Sequence, residues 1–426
     1  MKFAFYTLGC KVNLYETQAL TQLAEMCGHQ IVEHDADAVI INTCTVTSAS
    51  DHKNIRAFHK MRRENPCAVI AACGCLAELS AEKVKATGDI DLVFGTHDRA
   101  HIIQHCEQAV IGESSTQEMV EESAFEYLPA GVPAGRTRAL LKIQDGCDNY
   151  CTYCIIPYAR GHVRSMARDT VFDETARLQK QGVHEIVLTG IELSSYGRDL
   201  MPAVTLIDLL EQLLVEFPDM RFRLGSLDPR TANDDFCARL SRFDNLARHF
   251  HLSMQSGCDS VLIRMGRRYR TEEYYDNVSK LKTTFPDCSI TTDLIVGFPQ
   301  ETEAEFTETL AFLERCAFAS VHVFPFSARE GTRAAEMDGQ LPQSVKAERA
   351  SRAKAVAERL SERYRMDLLG RVIDVLPEHA GADGTWVGHG CFGVPVYIRE
   401  NTLAKNVLSR VCITGLYRDG WLAEKI

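Results

Sequence analysis

The sequence predicts an α/β protein of three units: an N-terminal doubly wound parallel sheet, a central partial (β/α)6 barrel and a small C-terminal β-barrel. Three observations predict it. The chain has 426 residues, too many for one domain at about 100–200 residues each. Apolar, β-branched runs alternate with amphipathic helical stretches as far as residue 365, with one break rich in Gly, Ser, Pro and Glu. Beyond residue 370 the period changes to short alternating strands punctuated by Gly and Asn.

The first unit, 1–133, opens with a strand over 2–8 and a helix over 16–27 that stops at Gly28. A β-branched run at 38–42 precedes a helix over 48–64, which ends before Pro66; further strands fall at 68–72 and 91–94. Such alternation argues for a parallel sheet covered by helices. The stretch 112–135 reads as a linker. The second unit, 134–365, places strands at 138–144, 185–189, 221–224, 250–254, 289–296 and 320–325. Helical patterns such as 170–180, 205–217, 272–284 and 303–316 separate them. Six β/α steps make a partial barrel rather than the eight-step closed form, and a charged helix over 344–365 ends the unit. The third unit, 366–426, carries short strands at 372–376, 385–389, 394–398, 410–416 and 420–424, the pattern of an oligonucleotide-binding type of barrel.

Composition narrows the function. Hydrophobic residues at 45% and charged residues at 25% exclude wholesale disorder. No apolar run approaches the roughly 18 residues a membrane helix needs, and residues 1–10 lack a secretory pattern, so no membrane partner and a cytoplasmic location are expected. The net charge of −11 excludes a generic polyanion binder; nucleic acid would have to be held by local basic patches. The outlier is cysteine, 16 residues. In a reducing compartment clustered cysteines hold metal or do redox chemistry more often than they form disulfides. Cys27, Cys237, Cys288 and Cys316 sit in apolar periodic stretches and read as small buried hydrophobes.

Cys147, Cys151 and Cys154 form a C-x3-C-x2-C run directly after the first barrel strand. A structural zinc site wants four ligands, and no fourth Cys or His lies in the loop, although His162 lies close enough in sequence to complete one. Three thiolates suit an iron–sulfur cluster with one iron left open. A second set is more dispersed: Cys10, Cys44 and Cys75 each follow a strand of the first unit. Loops after the carboxyl ends of adjacent parallel strands converge on one crevice, so the three thiols could meet there at a second metal site; three unrelated loop cysteines are the alternative the spacing leaves open. Cys73 is the alternative to Cys75.

Cys147, Cys151 and Cys154, with Tyr153 before the last, resemble the signature of the radical S-adenosylmethionine superfamily. The longer string Gln144-Asp145-Gly146-Cys147, Ile156-Pro157-Tyr158-Ala159-Arg160-Gly161 and Arg164-Ser165 resembles the methylthiotransferases more narrowly. The resemblance covers nearly the whole chain in the same domain order. It implies a radical-SAM barrel and a 4Fe–4S cluster on the three cysteines. The open iron there would chelate S-adenosylmethionine, and reduction would give a 5′-deoxyadenosyl radical. It also implies a second 4Fe–4S cluster, with Cys75 rather than Cys73 as a ligand. The family's Gly-Cys-hydrophobic-Ala-acidic pattern falls on Gly74-Cys75-Leu76-Ala77-Glu78. Two S-adenosylmethionine molecules would be used per turnover, one to methylate a sulfur on the second cluster and one to be cleaved. Tyr153, Gly190, Glu192, Gln255 and Gly297 match the family's cofactor-binding elements, Glu192 receiving the methionine ammonium. No catalytic residue beyond the cluster ligands is implied.

For RNA, the basic residues Arg160, Arg164, Arg267 and Arg268 are the expected contacts, with the terminal unit resembling the TRAM module. The branch most resembled methylthiolates C2 of N6-threonylcarbamoyladenosine at tRNA position 37. Its neighbours act on isopentenyladenosine-37 or on a ribosomal-protein aspartate. A rival of another class is a non-catalytic iron–sulfur RNA-binding protein. The expected partners are a tRNA anticodon stem-loop and a flavodoxin- or ferredoxin-type reductant; the sequence names no sulfur donor.

Overall fold

The computed structural model describes residues 1–46, 48–113, 124–131, 137–381, 383–400 and 403–426. The expected linker at 112–135 lies largely outside them. The first unit is a five-stranded parallel sheet: β1 (Lys2–Thr7), β2 (Gln30–Ile31), β3 (Ala38–Thr43), β4 (Val69–Gly74) and β5 (Leu92–Val93), in the order β2-β1-β3-β4-β5. β3 is buried along its whole length, as a central strand covered on both faces must be. The short edge strand β2 is an addition to the sequence reading. Apolar clusters lie on each side of the sheet, one around Val39, Ile41 and Phe58, the other around Phe3, Ile40 and Ile102.

The second unit begins with β6 (Arg138–Lys142). A two-residue ladder follows, in which β7 (Gln144–Asp145) pairs antiparallel with β8 (Arg164–Ser165) and clasps the intervening cysteine loop. The remaining strands are β9 (Glu185–Thr189), β10 (Arg221–Leu224), β11 (Ser226–Leu227), β12 (His249–Leu252), β13 (Ser289–Val296) and β14 (Ser320–Pro325). They form two parallel arcs, β10-β9-β6 and β11-β12-β13-β14, joined at Gly225 where β10 gives way to β11. Six β/α steps therefore make an open barrel, as the sequence predicts. Its outer helices are well specified locally. Leu206–Glu216 and Glu303–Cys316 both start with a reciprocal capping box, Thr205/Asp208 and Thr302/Glu305, each cap being worth about 1 kcal/mol. The first buries Leu206, Ile207, Leu209, Leu210, Leu213 and Leu214 against the barrel, at roughly 1.5–3 kcal/mol per side chain.

The long helix Gln343–Asp367 lays Ala350, Ala353, Val356, Ala357 and Leu360 on the barrel. Three of its arginines are spent on acidic neighbours: Arg349 on Glu301 (2.8 Å), Arg352 on Glu303 (2.7 Å) and Arg359 on Glu314 (2.8 Å). The third unit is a closed barrel in the order β15-β16-β17-β19-β18, built from Val372–Ala380, Thr385–Gly390, Pro395–Arg399, Ser409–Tyr417 and Gly420–Lys425. Trp421 fills its core, with Val375, Val396 and Ile413 around it.

Candidate functional site

Three loops of the first sheet meet as the strand order requires. Cys10 caps the helix Lys11–Met26, Cys44 follows β3, and Cys75 opens the short helix Cys75–Leu79. Gly9 sits at φ +112°, and a Cβ there would come within 2.7 Å of Cys44 Cβ and 3.0 Å of its Sγ. Only glycine lets the two loops approach this closely. The Asn13 side-chain amide donates to Leu8 O and to Thr43 O, 2.8 Å each, stitching the loops together. Burial pushes the Cys44 and Cys75 thiols up, and the three thiols act on one another: Cys44 on Cys10, Cys75 on Cys44, Cys10 on Cys75.

Cys73 lies apart from them. It is packed among Ala71, Phe94, Ile102, Ile103 and Cys106, where burial pushes its thiol to about 12. In a continued strand residues 73 and 75 would share a face. The chain leaves the strand at Gly74, φ +92°, and enters a helix at Cys75, which separates them.

The second triad lies in the loop clasped by β7 and β8. Cys147 N donates to Gly161 O and Cys154 N to Cys151 O, both 3.0 Å. Burial raises the thiols of Cys147, to about 11, and Cys154, to about 12, and Cys151 adds to both. Arg267 Nη1 donates to Cys151 Sγ at 3.3 Å. His162 is 79% exposed, with Nδ1 2.6 Å from Asp148 Oδ1. Among the described residues no group of three Cys, His, Asp or Glu is arranged to hold a single metal ion.

Beside this loop, Gly190 follows β9, and a Cβ on it would fall 2.7 Å from Gln144 Oε1. That same oxygen accepts from Glu192 N at 2.8 Å. Ser195 donates to Glu192 Oε2, while Glu192 Oε1 is buried without a partner among the described residues. Burial raises this carboxyl, and its charge in turn raises Cys147. An orphaned carboxylate oxygen beside three thiols fits a cofactor that brings both iron and an ammonium group. The other expected cofactor residues are less direct. Tyr153 stacks edge-on against Phe298, 6.5 Å between ring centroids. Gln255 takes a left-handed backbone, φ +69°, while bonding β13 through Asp293 O and Ile295 N. Gly297 opens toward Lys346, whose Cγ would stand 2.6 Å from an added Cβ; its small size serves the packing of the long helix.

The arginines expected to hold RNA divide sharply. Arg160 is 0% exposed and Arg164 6%, so neither reaches a phosphate. Arg160 donates to Cys75 Sγ (3.3 Å), Glu16 Oε1 (2.8 Å), Asp145 Oδ1 (3.1 Å) and Asn13 Oδ1 (3.0 Å). Arg164 donates to Arg160 O. The Arg267 side chain is 9% exposed and turned onto Cys151. Arg268 alone of the four is exposed. Arg267 is held against Cys151 with Asp228 at 4.0 Å, Arg164 is buried against the Arg160 carbonyl, and Arg160 is drawn inward as the counter-charge of buried carboxylates. Arg99, Lys142 and Arg160 balance Glu16, Asp145 and Glu126 in this way. Burial alone would raise the Glu16 carboxyl, but Arg160, Arg99 and Lys142 hold it well below its ordinary value.

A cavity of about 900 Å³ runs from Cys10 past the Thr189–Gly190–Ile191 turn into the barrel and is walled by Phe392 to Pro395 of the terminal unit. Its lining includes Lys11, His249, His251, Asp293 and His322, which the sequence reading missed. The available signal was period two: polar residues recur at alternate positions of β12 and β13, where a filled barrel would be apolar. His251 Nε2 and His322 Nδ1 flank Asp293 at 3.2 and 3.5 Å. The Asp293 hydrogen bond raises His322, and burial drives His249 well below the ordinary histidine value.

Comparison with known proteins adds the following. The Radical SAM superfamily model matches residues 141–313, and that of the uncharacterized protein family UPF0004 matches residues 2–95. The threonylcarbamoyladenosine tRNA methylthiotransferase MtaB of Bacillus subtilis is 39% identical over 88% of this chain and 85% of its own. The protein of that name from Thermotoga maritima is 38% identical over 90% and 88%. The tRNA-2-methylthio-N(6)-dimethylallyladenosine synthase of Geobacillus thermodenitrificans is 34% identical over 88% and 74%. Among solved structures, the radical S-adenosylmethionine methyltransferase TsrM from Kitasatospora setae superposes with a TM-score of 0.56 at 12% identity, covering 76% of this chain and 72% of its own. That likeness is one of fold.

Proposed function

The chain belongs to the radical S-adenosylmethionine tRNA methylthiotransferases, and from that premise we propose that it converts N6-threonylcarbamoyladenosine at tRNA position 37 to its 2-methylthio derivative with two 4Fe–4S clusters. The family brings S-adenosylmethionine and a 4Fe–4S cluster with it. In the proposed assignment Cys147, Cys151 and Cys154 hold one cluster, and Cys10, Cys44 and Cys75 the other. The units divide at 133/134 and 365/366.

The observation that carries this reading is a cavity lined by both Cys10 and the turn at Gly190. An aromatic C2–H bond is not removed by any side-chain base at neutral pH, so an acid–base pair such as His251 and Asp293 does not suffice. The bound cluster and S-adenosylmethionine supply hydrogen-atom abstraction and a transferable methyl group. The protein's own groups prepare the site for them. Glu192 Oε1 offers its free lone pairs to the methionine ammonium, and Gly190 leaves room for it. Arg160 and Arg267 set positive charge against Cys75 and Cys151, where a bound cluster concentrates negative charge. The base enters from an unpaired loop at small unstacking cost. Arg268 and the terminal barrel, in its TRAM-like role, grip the anticodon stem-loop. A flavodoxin- or ferredoxin-type protein supplies electrons.

The test uses tRNA from a strain lacking the endogenous enzyme, incubated with the reconstituted protein, a reductant and S-adenosylmethionine, then digested for nucleoside mass spectrometry. The expected product is 2-methylthio-N6-threonylcarbamoyladenosine. Product on isopentenyladenosine instead moves the protein to the neighbouring branch, and a modified ribosomal protein moves it further. Absence of 5′-deoxyadenosine altogether favours the non-catalytic RNA-binding reading.

A further inference from the structure

The charged side chains that line the cavity are Lys11, Asp293, Arg365 and Asp419, beside His249, His251 and His322. Asp293 is taken by His251 and His322, Asp419 accepts from the Tyr397 hydroxyl at 2.6 Å, and Arg365 donates to the backbone carbonyls of Ser361 and Arg418 at 3.3 and 3.2 Å. Lys11 is not held in this way. It is exposed to the cavity beside Cys10, and among the described residues no carboxylate lies within ion-pair distance of its ammonium. A cation that lines a pocket without a partner is a site for an anion.

We propose that Lys11 binds the carboxylate of the substrate's N6 substituent and so selects a carboxylate-bearing adenosine over a neutral one. The inference rests on the function proposed above, because a threonylcarbamoyl group ends in a carboxylate and an isopentenyl group carries no charge. Its geometry follows from the purine. C2 and C6, the carbon that bears the N6 nitrogen, flank the same ring atom, N1, so a base presenting C2 toward Cys10 brings its N6 substituent to the same rim of the cavity. Lys11 is the next residue in the chain. His322, whose Nδ1 faces Asp293, keeps Nε2 for a further hydrogen bond to the hydroxyl or carbamoyl group. The methionine carboxylate of S-adenosylmethionine is a second anion of the same chemistry, and the test must separate the two.

The reconstituted full-length protein is titrated with three labelled anticodon stem-loops in fluorescence anisotropy. They carry threonylcarbamoyladenosine, its neutral carboxamide, or unmodified adenosine. The wild type is expected to prefer the carboxylate to the carboxamide by about tenfold or more, the scale of a charge-assisted hydrogen bond. Lys11→Met is expected to reduce that preference to about one while leaving the affinity for the unmodified loop unchanged, and Lys11→Arg to keep most of it. S-adenosylmethionine affinity, by equilibrium dialysis, and iron content are expected to stay at wild-type levels in both variants. An unchanged preference in Lys11→Met overturns the proposal. So does a fall in S-adenosylmethionine affinity with the preference intact, which would give Lys11 to the cofactor. Failure of the proposed function is read separately, in the wild type's own nucleoside product.

Discussion

Gly74 separates two cysteines with different fates, and the difference can be measured residue by residue. Cys75 faces Cys10 and Arg160; Cys73 is enclosed by apolar side chains on the other side of the sheet. Cys75→Ala is therefore expected to drop reconstituted iron from about eight to about four per chain. Cys73→Ala should keep the iron and cost stability on the order of 1 kcal/mol, as a small core truncation does. Iron and sulfide analysis beside a thermal melt checks both. If Cys73→Ala alone loses the iron, the ligand register is off by two. Arg268 makes the opposite kind of test. Because it is exposed, Arg268→Ala is expected to leave stability within about 0.5 kcal/mol. It should weaken tRNA binding similarly across sequences and lower the salt slope by about one; titrations at several salt concentrations read this out.

At the scale of elements, β9 and β10 carry the joint between the open barrel and the terminal one. Glu185 on β9 is fully buried between Arg221 and Arg223. Those arginines reach on to His389 O (3.0 Å) and Gly390 O (2.8 Å) of β16. Burial alone would raise the Glu185 carboxyl, but Arg223, Arg221 and Arg138 hold it down to about 2 against an ordinary 4.5. A carboxyl depressed in the folded state adds stability that is fully present above about pH 4.5 and lost as pH falls toward 2. The shift is worth about 3 kcal/mol. Urea midpoints measured from pH 6 to 2 are expected to fall along this window in the wild type and to fall less in Glu185→Gln. Equal acid slopes would remove Glu185 from the joint.

For the whole molecule, the buried cluster of Glu16, Arg99, Lys142, Asp145 and Arg160 is the bolt between the first sheet and the barrel. Arg160 links Cys75 to Asp145, two residues before Cys147, so it spans both cysteine triads. Replacing Arg160 by Met leaves Glu16 and Asp145 short of a counter-charge in a dry interior, at a cost of about 3–5 kcal/mol. Urea unfolding followed separately in the first sheet and in the barrel should show the two units parting, with the sheet and its iron lost first. A single unshifted transition would mean that other contacts hold the units together.

The sequence by itself determined the order of strands and helices, the six-step open barrel, the five-stranded terminal barrel and the two sets of three cysteines. The elements are written in periodicity and the Cys147, Cys151 and Cys154 run in a short spacing, both of which depend on neighbours within a few residues, while Cys10, Cys44 and Cys75 are marked by each following a strand. The tertiary structure alone decided that Gly74 divides Cys73 from Cys75 and that Arg160, Arg164 and Arg267 turn inward. It alone brought Lys11 to a cavity with His251, Asp293 and His322. The physical reason is that burial and charge pairing are set by contacts distant in the chain. Arg160 and Glu16 are 144 residues apart, and whether an arginine meets water or a carboxylate is fixed only when those segments close on one another.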